Sequence, residues 1–124
     1  MTEVKLKPRA KKALEEIMDF KNNPKYYLDE EIYREYGKDV LNISGSARTK
    51  VDYLLKNKRL SPSFRRFLKK EQVDPEDLRQ VMVYVKPLPR NKYLITLSFS
   101  NDEIEIEYQF TTDYSGLINF LQNV

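Results

Sequence analysis

The chain has 124 residues, 33% of them charged, and a net charge of +3. With no Cys and no His it has no disulfide framework, no thiolate zinc site, no cysteine nucleophile, and lacks the commonest general base and metal ligand. Gly37, Gly45 and Gly116 are its only glycines, too few for a phosphate-cradling P-loop, and its longest apolar run, VMVYV at 81–85, is strand-sized.

In chain order, MTEVKLKPRAKK lacks the apolar centre of a secretory signal, so a cytoplasmic protein is expected. Val4 and Leu6 alternate with charged residues, as a short edge strand or a basic arm would. Pro8 suits a first helical turn, and Ala10, Ala13, Leu14 and Ile17 recur at the spacing of a buried helical stripe. Asn22-Asn23-Pro24 ends that helix. A second helix is expected over Asp29–Tyr36, with Gly37 past its end, and KDVLNI at 38–43 reads as a connector. Ser44 or Ser46 caps a third helix over 47–59, with Ala47, Val51, Leu54 and Leu55 on the core side. The opposite side carries Arg48, Thr49, Lys50, Asp52, Tyr53, Lys56, Asn57 and Arg59. Leu60-Ser61-Pro62 restarts a short helix with Ser61 as cap, turning Phe64, Phe67 and Leu68 inward and Arg65, Arg66, Lys69 and Lys70 outward. Asp74-Pro75-Glu76-Asp77 opens another short helix ending near Gln80.

Beyond Gln80 the apolar period changes to two. Val81, Val83 and Val85 form one strand, Tyr93 to Phe99 a second, and Ile104 to Phe110 a third. Pairing Phe99 with Ile104 and Tyr93 with Phe110 across SNDE keeps every apolar residue on one face, and a one-residue slip would break the match. Val85 pairs with Tyr93 and Val83 with Ile95 by the same reasoning, with KPLPRN as the loop. Asp113 caps a final helix bearing Leu117, Ile118, Leu121 and Val124. The expected fold is α+β in one domain: basic N-terminal helices over 1–80 packed on a three-stranded antiparallel meander, closed by a C-terminal helix.

The strongest functional signal is residues 44–70, with nine basic residues against Asp52 alone, a local charge of +8. Lys and Arg at that density meet polyanions. Arg48, Lys50, Lys56, Arg59, Arg65, Arg66, Lys69 and Lys70 are the expected phosphate contacts, and Thr49, Tyr53 and Asn57 could reach bases or sugars. EEIYREYG at 30–37 resembles the first helix of a helix-turn-helix unit, and SARTKVDYLLKNKRL at 46–60 the recognition helix of winged-helix regulators. The likeness implies that Ser46, Arg48, Thr49, Lys50 and Tyr53 contact DNA and that Lys86, Arg90 and Lys92 form a wing. The connecting KDVLNISG is longer than the usual turn, and two further helices precede the hairpin.

The expected function is non-enzymatic binding of nucleic acid, DNA before RNA, as in a transcriptional regulator; a homodimer would suit that role. An alternative is an accessory or inhibitor module of the mobile-element kind, docking on a larger nucleoprotein machine. A third is a Mg²⁺ nuclease using Glu103, Glu105 and Glu107, which alternate on one strand; a solvent-facing strand explains them more simply. No cofactor, metal or membrane is expected, and the high charge leans toward a thermophile's composition.

Overall fold

The computed structural model describes residues 6–22 and 43–122. Its elements run α1 (Pro8–Lys21), β1 (Ile43–Ser46), α2 (Ala47–Lys56), α3 (Ser61–Glu71), a 3₁₀ turn (Pro75–Asp77), β2 (Gln80–Leu88), β3 (Lys92–Ser100), β4 (Glu105–Asp113) and α4 (Tyr114–Gln122). The expected α+β architecture is present. The helix expected over Asp29–Tyr36 and the strand or arm around Val4 lie outside the described residues.

Period-two alternation makes the sheet two-faced. Val81, Val83, Val85, Tyr93, Ile95, Leu97, Phe99, Tyr108 and Phe110 point to the helices and are buried. Met82, Tyr84, Leu94 and Ser98 are half-buried on the other face, where Glu105, Glu107 and Gln109 are exposed. The inner residues join Ala10, Ala13 and Ile17 of α1, Leu54 of α2, Phe64 of α3 and Leu117 and Leu121 of α4 in one hydrophobic core. Helix-period and strand-period stripes meet in a single apolar layer, which is what holds the basic helices in place.

The meander β2-β3-β4 carries a fourth strand at its edge: β1 pairs antiparallel with β2, giving the order β1-β2-β3-β4. Ser44, one of the two expected caps, pairs in β1 with Met82. Ser46 precedes α2 in extended conformation, but its hydroxyl makes no capping bond.

Both hairpins differ from the expected register by two residues. Phe99 faces Ile106 rather than Ile104, and Leu97, Ile95 and Tyr93 face Tyr108, Phe110 and Thr112. Val85 faces Ile95, Val83 faces Leu97, and Pro87 faces Tyr93. The loops cause the shift. Asn101 accepts the backbone amides of Glu103 and Ile104 through Oδ1, both at 2.8 Å, so the second turn spends four residues before β4 begins. In the first hairpin the strand runs on through Pro87 to Leu88, and Arg90 and Asn91 make the turn at φ 65° and 57°. Pro87 lies past Val83, the end of the described pairing with β1, where its missing N–H costs no ladder bond on that side.

The helices depart from expectation mainly at their ends. α2 stops at Lys56 rather than Arg59 because the Asn57 side chain accepts the amides of Arg59 and Leu60 at 3.0 and 3.1 Å, forming a local turn. Ser61 lies inside α3 instead of capping it; its hydroxyl accepts Arg65 Nε at 3.1 Å. α3 closes with Gln72 in the left-handed conformation, where its N–H bonds to Lys69 O and that of Val73 to Leu68 O. The segment after Asp74 makes one 3₁₀ turn, capped by Asp74 on Glu76 N. It goes no further because Leu78 is already extended and the amide of Arg79 bonds to Ser100 O.

α4 follows β4 without a linker, which forces a close approach at Gly116. A Cβ there would stand 1.7 Å from Thr112 Oγ1 and 3.0 Å from Thr112 Cβ. Rotating Thr112 relieves the first contact but not the second. Gly116→Ala should therefore destabilise the fold by about 1–3 kcal/mol despite alanine's better helix propensity. An unchanged urea midpoint in that variant would contradict this packing.

Candidate nucleic-acid interface

α2 buries Ala47, Lys50, Val51 and Leu54 and exposes Arg48, Thr49, Asp52 and Lys56, with Tyr53 half-buried. Lys50 was expected on the exposed basic face; it is 4% exposed. Its position explains the correction: residues 47, 50, 51 and 54 are spaced i, i+3, i+4, i+7, so Lys50 stands on the core stripe. Burial, and then the positive charges of Arg9 and Lys7, lower its pKa from the ordinary lysine value. No described residue accepts a hydrogen bond from its amine or pairs with it.

α3 is sharply two-sided. Phe64 and Leu68 are buried, while Arg65, Arg66, Lys69 and Lys70 are exposed. Phe64 sets the helix against the sheet, with ring centroids 5.1 Å from Tyr108 and 6.1 Å from Phe99. Tyr108 adds a hydrogen bond from its hydroxyl to Ser63 Oγ at 3.1 Å. Between the helices, Arg59 donates from Nη2 to Thr111 O of β4 at 3.0 Å, and Lys58 is exposed. Eight of the nine basic residues of 44–70 thus reach solvent, and among the described residues none of the eight pairs with a carboxylate.

A groove runs along the seam of α2 with α4 and β4. Arg48, Asp52 and Lys56 line one stretch, Arg59, Lys92 and Asp113 the next, and Tyr53, Asn57 and Asn119 belong to both. The Tyr53 hydroxyl donates to Asn119 Oδ1 at 3.0 Å, and its ring meets Phe120 edge-to-face at 5.3 Å. Burial raises the Tyr53 pKa; a hydrogen bond with Asn57 and the charge of Arg59 work the other way. Asp113 is engaged in starting α4, accepting Gly116 N at 2.8 Å.

The other expected residues are more dispersed. Lys86 lies on the outer face of the sheet, Arg90 at the β2–β3 tip, and Lys92 at the groove. The hairpin tip is tied to α1 instead, since Lys21 Nζ donates to Asn91 Oδ1 at 2.6 Å and to the Tyr93 hydroxyl at 3.0 Å. Residues 30–37, the first half of the helix-turn-helix resemblance, lie outside the described residues. Glu105 and Glu107 stand exposed on β4, but Glu103 belongs to the preceding turn, so the carboxylate ladder is shorter than expected. Ser98 donates to Glu105 at 3.4 Å and Gln109 to Glu107 at 3.3 Å, and among the described residues no three acidic side chains converge as a metal site would need. No described helix is long and apolar enough to cross a membrane.

The sequence pattern alone did not point to Asn119. A polar residue set between the apolar Ile118 and Phe120 is the signal the sequence offers there. Compared with protein-family models, curated proteins and solved structures, the chain matches none.

Proposed function

We propose that the protein binds nucleic acid, DNA in the first instance, through the cations displayed by α2, α3 and the turn between them. The observation that supports this is the set of eight exposed Lys and Arg side chains that have no carboxylate partner among the described residues. Cations not neutralised by a neighbouring carboxylate keep their charge for an external anion, and a phosphate backbone accepts many at once with release of its counterions. Asp52 is the one acid among them. No nucleophile or metal cluster is invoked: the role is binding, as in a regulator.

Arg48, Arg65 and Arg66 are all exposed, so reversing them leaves the core intact. The triple variant R48E/R65E/R66E should bind a 20-base-pair duplex at least about a hundredfold more weakly at 50 mM salt, with an unchanged melting curve. Wild-type affinity should also fall steeply between 50 and 200 mM salt. Unaltered retention of the variant on heparin and on oligonucleotides would overturn the proposal. Capture of a single protein partner with indifference to free nucleic acid would replace it by the inhibitor reading.

A further inference from the structure

Resting on the nucleic-acid reading above, we infer that the groove between α2 and α4 takes a single strand, whose bases meet Tyr53 at its floor and whose phosphates meet the cations along its two stretches. Three features carry this. The first is shape: the chemistry lies in a trough rather than on a ridge. A duplex hides its base faces and is read by elements that protrude into its grooves, so it would ride on the rims and leave the floor uncontacted. A single strand can lay its bases into a trough, as in open aromatic-lined channels.

The second feature is the floor. Tyr53 offers a half-exposed ring, braced edge-on by Phe120 at 5.3 Å, which is the support a stacking platform needs. Beside it stand two side-chain amides, Asn57 and Asn119, whose oxygens are already taken, by the amides of Arg59 and Leu60 and by the Tyr53 hydroxyl, so that what they lend the floor is the fixing of the ring. The Tyr53–Asn119 bond of 3.0 Å fixes the ring and the amide relative to each other.

The third feature is the charge layout. Arg48 and Lys56 stand on one stretch of wall, Arg59 and Lys92 on the other, contributed by α2, the α2–α3 turn and β3. Lys92 is 33 residues beyond Arg59 in the chain, so its presence is a product of folding and not of local composition. Asp52 opposes phosphate at its own position and suits an exocyclic base amino group instead. Asp113, which accepts Gly116 N and stands opposite Lys92 across the strands, keeps its charge, so four cations face two carboxylates along the groove.

The test measures fluorescence anisotropy of a labelled 15-nucleotide oligothymidine and of a 15-base-pair duplex with the full chain at two salt concentrations. Wild type should bind the single strand at least about tenfold more tightly than the duplex. Tyr53→Ala should lose about tenfold on the single strand and little on the duplex. Lys92→Gln, at an exposed site remote from the core, should lower the single-strand salt slope by about 0.7. Should Tyr53→Ala unfold, Lys92→Gln decides. Equal or tighter duplex binding, or single-strand binding untouched by Lys92→Gln, overturns the groove assignment while leaving the cationic surface of α2 and α3 standing, provided R48E/R65E/R66E still loses binding. Absence of any nucleic-acid binding by wild type removes both.

Discussion

Replacing Phe64 by alanine should cost about 3–5 kcal/mol, a third or more of the stability of an ordinary domain. The ring is fully buried and sits at the centre of an aromatic group, 5.1 Å from Tyr108, 6.1 Å from Phe99 and 6.1 Å from Phe67. Edge-to-face and offset ring pairs add to the loss of buried area. Little can collapse into the space, because Phe99 and Tyr108 are held in adjacent strands by the sheet ladder. Leu68 would be the only fully committed anchor left to α3, so the same change would loosen the helix that displays Arg65, Arg66, Lys69 and Lys70. Urea unfolding measures it: the midpoint should fall with little change in slope. A loss below about 1 kcal/mol would mean that α3 is not seated on the sheet in this way.

Lys50→Met should do the opposite and stabilise the protein at neutral pH, by about 1–3 kcal/mol. Methionine keeps the length of the stem and removes the charge from a residue that is buried as a whole, has no acceptor among the described residues, and feels Arg9 and Lys7. The pH dependence follows from the direction of its shift. The folded pKa is lowered, so between that value and the unfolded one the unfolded chain binds a proton that the folded chain lacks. Stability from this group therefore rises with pH through that window and is lost as pH falls through it. The advantage of Lys50→Met over wild type should shrink from pH 7 toward pH 10. A variant that is less stable than wild type at pH 7, with a gap independent of pH, would show that the amine is satisfied where it stands.

The strands were legible in the sequence because Val81 to Val85, Tyr93 to Phe99 and Ile106 to Phe110 each bury one face, and alternation is the direct trace of that. Their register was not. Shifting a strand by two residues preserves the faces, so the apolar pattern fixes only odd against even. The choice between Ile104 and Ile106 as the partner of Phe99 was made by the Asn101 side chain and its two backbone bonds, a detail with no periodicity. β1 was not legible because ISGS has little apolar content and forms a strand only by borrowing the edge of β2. At Lys50 the sequence carried two opposed signals, charge and spacing, and spacing prevailed. The cationic helices were legible as composition, whereas the groove was not: Tyr53, Lys92 and Asn119 share it only once the sheet is built.

Among the described residues β4 ends the sheet with nine residues, Glu105–Asp113, and has no strand beyond it. An uncovered ladder of that length is the usual template on which a second copy would add and fibres would grow. Here every second residue at its start is a carboxylate, and near its far end Arg59 already holds the Thr111 carbonyl at 3.0 Å. A like strand approaching in parallel register would bring Glu105 beside Glu105 and Glu107 beside Glu107, and would have to displace a guanidinium. The same arginine that lines the groove therefore blocks part of that edge, and removing it would open the Thr111 carbonyl to an incoming strand.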